Sequence, residues 1–120
     1  MTLAVVAGIG LLGGLGAIGR FLLDGAVSSR VGAFPFGTLA VNLTGSFALG
    51  ALYGAAVGGD ALRLAGVGFL GAYTTFSTWA LEAHRLGEDG RTRLGVANLA
   101  VSLVLGLGCA WLGRELGAAL

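Results

Sequence analysis

GAYTTFSTWALEAH, residues 71–84, is the stretch on which the fold turns. Thr74, Thr75, Ser77 and Thr78 crowd together with Phe76 and Trp79, and Glu82 follows one turn after Thr78. The residues that lead into it, LAGVGFL at 64–70, are wholly apolar. So many hydroxyls need a reason if no water surrounds them, and composition says that none does. Of 120 residues, 56% are hydrophobic and 11% charged, and the mean hydropathy is +0.90. A soluble domain carries roughly 25% charged residues. This chain cannot cover a water-facing surface, so it reads as an all-α integral membrane protein.

Working outward, four stretches are long and apolar enough to cross a bilayer, which takes about 20 residues each. They are residues 3–23, 36–57, 64–83 and 94–112, within a single transmembrane domain spanning 1–120. The expected connections are short: 24–35 with the sole proline and a bend at Ser28-Ser29, a tight turn at Gly58-Gly59-Asp60, and a polar loop over 85–93. All 7 basic residues are arginine. Arg30, Arg85, Arg91 and Arg93 fall on one side and Arg63 and Arg114 on the other, a weak bias that places the first group in the cytoplasm. The 24 glycines have no collagen period and lie among Leu, Val and Ala. Gly10 and Gly14, and Gly50, Gly54 and Gly58, have the spacing that lets membrane helices approach backbone to backbone, within one chain or between subunits.

The polar side chains inside the spans are ordered. Thr38, Asn42 and Ser46 recur every four residues on one helical face, as do Thr74, Thr78 and Glu82, and Asn98 and Ser102. Polar groups facing lipid are costly, so the three stripes should point inward or line a wet path. They offer uncharged hydrogen-bond donors, and Phe76 and Trp79 add the positive edges of aromatic rings. With no Lys or Arg at mid-span, a small anion would be desolvated without being trapped, which suits passage. Gly68, Gly71 and the Thr74-Thr75 pair weaken the third helix near its middle, and a break is expected there. Freed carbonyls at such a break are tolerated only inside protein or around an ion.

Several function classes are excluded. A net charge of +1 supplies no basic face for nucleic acid. Cys109 is the one cysteine and His84 the one histidine, so thiolate metal sites and a nucleophile paired with a base are absent, and the chain is not read as an enzyme.

The motifs GGLGAIGR (13–20), FPFGTLAVNLTGSFALG (34–50), GFLGAYTTFSTWALE (68–82) and NLAVSLVLGLGCAWLG (98–113) resemble those of the Fluc fluoride channels, also called the CrcB family. The resemblance covers nearly the whole chain. It implies a dual-topology dimer of two antiparallel copies in the cell inner (plasma) membrane, with the third helix broken at mid-membrane. Such a dimer gives passive export of toxic fluoride and hence fluoride resistance. It further implies a fluoride pore carried by Thr38, Asn42, Phe76, Ser77, Thr78, Trp79, Glu82, Asn98 and Ser102. A structural Na+ (sodium) ion at the dimer interface would be held by the carbonyls of Gly71 and Thr74, and Arg20 would be structural or stand at the vestibule. Two positions depart from the family pattern: Trp79 stands where Phe is usual, and Asn98 where Tyr is often found. The Arg bias also fits one half of a heterodimeric fluoride channel. A small-multidrug-type proton-coupled transporter would need a carboxylate inside the first span, which has none before Asp24. A non-transporting scaffold would use the glycine faces alone.

Overall fold

A computed structural model describes residues 1–28 and 32–120. Among these there are helices and no strands. The chain forms α1 (Leu3–Ser28), α2 (Phe36–Gly54), the short α3 (Gly59–Leu62), a π-helical segment (Arg63–Leu70), α4 (Gly71–Tyr73), α5 (Ser77–Glu88) and α6 (Thr92–Ala118). Three of these, α1, α2 and α6, are long and apolar enough to cross a membrane. The region expected to form the third span is instead built in pieces, and no one piece is long enough.

Helix ends run past the apolar stretches wherever local chemistry supports another turn. α1 continues through the expected loop to Ser28, whose hydroxyl donates to Asp24 Oδ1 at 2.9 Å. Ser29 and Arg30, to which the sequence assigns part of the bend and of the charge bias, lie outside the described residues. Pro35 immediately precedes α2, where its missing N–H costs nothing. α2 stops at Gly54, short of 57, because Ala56 turns left-handed (φ 57°) and Val57 N–H closes on Leu52 O at 2.9 Å. The turn therefore falls before Gly58-Gly59-Asp60, and Asp60 already belongs to α3. The polar loop is equally shorter than expected. α5 reaches Glu88, supported by a His84–Glu88 contact at 3.1 Å one turn apart. Gly90 (φ 77°) then ends it, with Arg91 N–H donating to Leu86 O at 2.7 Å.

Glycine sets the packing. A Cβ on Gly50 or Gly54 would collide with the backbone of Ala110 or Arg114 of α6, and one on Gly113 or Gly117 with that of Phe47 or Ala51 of α2. The C-terminal halves of α2 and α6 thus touch backbone to backbone, which accounts for the Gly50–Gly54 spacing within one chain. Gly58 lies beyond the helix and meets open space. Gly10 and Gly14 also meet nothing within 4 Å, whereas Gly16 of α1 packs on the Phe69 backbone and Gly68 on Ile9. The π-helical segment therefore lies along α1. Its wider winding, with hydrogen bonds five residues apart, is the kind of local distortion that accompanies functional sites.

Candidate functional site

The third-span region stops being helical at Thr74, which is extended (φ −81°, ψ 158°), and resumes at Ser77. Side chains hold the interruption open. Asn42 of α2 reaches across and pairs with the Thr75 backbone: its Nδ2 donates to Thr75 O and its Oδ1 accepts from Thr75 N–H, each at 2.8 Å. Thr75 Oγ1 in turn accepts from Thr78 N–H at 3.2 Å and donates to Thr78 Oγ1 at 3.1 Å. In a continuous α-helix the Gly71 carbonyl would take the Thr75 N–H, and the Thr74 carbonyl the Thr78 N–H. Both donors are diverted here, so those two carbonyls lose their helical partners. Arg20 fastens the same end from the other side, its Nε donating to Ala72 O at 3.3 Å.

Beside the interruption lies an open cleft of about 330 Å³. It is lined by Asn42 and Ser46 of α2, by Gly71, Thr74, Thr75 and Phe76 at the interruption, by Trp79 of α5, and by Ser102 of α6. The three stripes read from the sequence therefore meet. No charged side chain is among the lining residues. Room for the cleft comes from the small residues Gly45, Gly66 and Gly106 along its walls. Phe76 is 74% exposed and meets Trp79 edge to face, with ring centroids 5.3 Å apart and planes at 74°.

Other expected residues sit elsewhere. Thr38 and Glu82 lie toward a second cavity of about 310 Å³, whose lining includes Glu82, Arg85, Asp89, Ser28 and Pro35. Asn98 is fully buried and lines neither cavity. Its Nδ2 donates to Trp79 O and the Trp79 indole N–H donates to Asn98 O, both at 3.2 Å. Ser77 is exposed, with its Oγ only 3.5 Å from Thr75 Oγ1. Ser46, which its spacing places on an inward face but which is not among the pore residues the resemblance implies, joins the cleft. So does Thr75, whose backbone role sequence periodicity could not reveal. Tyr73 adds a further tie, its hydroxyl 2.8 Å from Thr44 Oγ1.

Among the described residues, the buried side-chain atoms without a well-formed hydrogen bond are Thr38 Oγ1, Glu82 Oε1, Asn98 Oδ1 and Ser102 Oγ, the first two of which face each other. Every one belongs to a predicted stripe. Leaving a buried polar group unpaired costs about 1–3 kcal/mol. Of the four, Ser102 Oγ is the one that lines the cleft, where an ion can meet it.

Comparison with known proteins adds an independent line. The family described as "CrcB-like protein, Camphor Resistance (CrcB)" matches residues 7–114. A protein of Mycobacterium tuberculosis (strain ATCC 25618 / H37Rv), named fluoride-specific ion channel FluC 2, is 53% identical over 115 residues, covering 95% of this chain and 91% of the relative. FluC 2 of Haloarcula marismortui is 50% identical over 107 residues, 86% of this chain and 87% of its own. FluC 1 of Symbiobacterium thermophilum is 47% identical over 116 residues, 91% and 94% respectively.

Proposed function

This chain belongs to the CrcB-like protein family, and from that premise we propose that it is a multi-pass, fluoride-specific ion channel through which fluoride leaves the cell passively. The observation that carries the reading is the meeting of Asn42, Ser46, Thr75, Phe76 and Ser102 around one uncharged cleft. Fluoride is small and strongly hydrated, so a path must replace its water with other donors. Hydroxyls of Ser46 and Ser102, together with ring edges of Phe76 and Trp79, supply partial positive charge. Because the lining holds no cation, the ion is stabilised enough to enter and weakly enough to leave.

The path is completed by a second copy in antiparallel orientation. The cleft is open, and Phe76 and Ser77 are exposed on the single chain. Acyl chains cannot satisfy hydroxyls and free carbonyls, whereas the same polar interruption on a partner can. Sodium fits the centre of such a dimer. The Gly71 and Thr74 carbonyls have lost their helical donors, and a hard cation favours oxygen ligands. When bound, the ion would neutralise the negative ends of these dipoles and tie the copies together. Asn42 and Thr75 keep both carbonyls free by spending the competing N–H groups on side chains.

Expression in a fluoride-sensitive strain that lacks its own exporter tests the reading in cells. Growth should recover in fluoride medium with the intact chain and not with Asn42→Asp. Equal growth of both strains would remove Asn42, and the interruption it holds, from the transport path.

A further inference from the structure

The indole N–H of Trp79 and the carboxamide of Asn98 look, by residue type, like two more donors for a passing anion. Their geometry assigns them elsewhere. Trp79 Nε1 donates to the Asn98 backbone carbonyl and Asn98 Nδ2 donates to the Trp79 backbone carbonyl, each at 3.2 Å. A backbone carbonyl can only accept, so the amide orientation of Asn98 is fixed with its nitrogen toward Trp79. The second amide N–H of Asn98 is fully buried and the residue lines neither cavity, and its Oδ1 is a buried acceptor without a partner. An acceptor does not stabilise an anion.

We propose that Trp79 and Asn98 form a two-point latch between α5 and α6 that positions the aromatic edge at the cleft and donates nothing to fluoride itself. The inference rests on the fluoride-channel reading. The latch sits where it can set ring geometry: Trp79 lines the cleft and holds Phe76 edge to face at 5.3 Å, while Phe76, 74% exposed, has little else to fix it. Ser102, one turn along α6 from Asn98, is left as the α6 group that offers fluoride a donor, since its Oγ is unpartnered and the residue lines the cleft. Trp79 and Asn98 are thus positioning residues, and the anion at this level sees aromatic C–H edges and a hydroxyl.

Trp79→Phe removes one point of the latch and Asn98→Ala the other, because each residue's backbone carbonyl survives the other's substitution. Wild type, both single variants and the double variant are reconstituted at low density in fluoride-loaded vesicles. The fraction of vesicles that empty counts active channels, and the emptying rate reports each channel. A latch is a unit, so each single variant should slow the per-channel rate about tenfold and the double variant little further, with the emptied fraction unchanged. Independent ligands would multiply to roughly 100-fold in the double variant, and that result overturns the latch, as does a loss confined to the emptied fraction. A second readout needs no transport. With ¹⁵N-indole labelling, the Trp79 N–H resonance, identified by its survival in Trp111→Phe, should exchange slowly and hold its shift through a fluoride titration. Migration with fluoride would mean that the N–H faces the anion, against the proposal. Wild-type vesicles that fail to empty would fault the channel reading instead, and the indole resonance would still decide the latch.

Discussion

The two halves of α2 behave as different materials. From Phe47 onward it is pressed to α6 through Gly50, Gly54, Gly113 and Gly117, with main chain against main chain and no polar side chain needed. Before that, Asn42 and Ser46 line the cleft at the interruption, while Thr38 lies beside Glu82 toward the second cavity. One half obtains adhesion from the absence of side chains. The other carries polar side chains, and an open cleft lies beside it. A rigid glycine seam is what allows the polar half to stand apart without collapsing onto α6.

The contrast can be broken most severely at the seam. Gly113→Leu drives a side chain into the Phe47 and Ala51 backbone, which cannot yield as a flexible side chain would. Overpacking of this kind costs typically 1–3 kcal/mol and more against backbone. Size-exclusion profiles after extraction should show loss of the folded species, while Gly108→Leu on the same helix, which meets open space, should elute as wild type. Next in size is Asn42→Asp. It loses the donor to Thr75 O, sets a carboxylate oxygen against that carbonyl, and adds negative charge to an anion path. Thr75 N–H keeps its acceptor, but the pairing lost at about 1–3 kcal/mol, together with the new charge in the path, gives a fluoride flux at least 100-fold lower in vesicles. A flux within a few-fold of wild type would detach the clamp from transport.

Ser102→Ala separates stability from function most cleanly. Its hydroxyl has no partner in the chain, so removing it relieves a desolvation cost. Thermal unfolding in detergent should be unchanged or slightly higher, while flux falls roughly tenfold, the equivalent of about 1.4 kcal/mol. A parallel loss of both would make Ser102 a packing residue. The smallest expected effect is ionic. Replacing sodium with a large organic cation on both sides should lower flux or dimer stability modestly, as the dimer-centre proposal requires, and indifference to sodium would remove it.

Much of this was legible in residue spacing. The stripes Thr38-Asn42-Ser46, Thr74-Thr78-Glu82 and Asn98-Ser102 predict which faces turn inward, because lipid leaves polar groups no other choice. Among the described residues, the four buried side-chain atoms without a well-formed hydrogen bond lie on them. Spacing could not say what each polar group touches. Asn42 reads as a free donor, yet both ends of its amide are spent on the Thr75 backbone. Trp79 and Asn98 read as separate pore groups, yet they bind each other across 19 residues of chain. Such pairings depend on the relative register of helices, which periodicity within one helix does not contain. The π-helical winding of Arg63–Leu70 was hidden for a similar reason: its glycines permit it, but packing against α1 at Gly16 selects it. The glycines and the Thr74-Thr75 pair mark where this region weakens, and the diverted N–H groups accompany its interruption between Tyr73 and Ser77.

The most direct trial of uncharged donors as a fluoride path is reconstitution of the purified chain into vesicles loaded with equal fluoride and chloride, followed with two ion-selective electrodes after a potassium ionophore is added. Fluoride should appear outside within seconds while chloride stays in. Emergence of both halides at similar rates, or of neither, would contradict it.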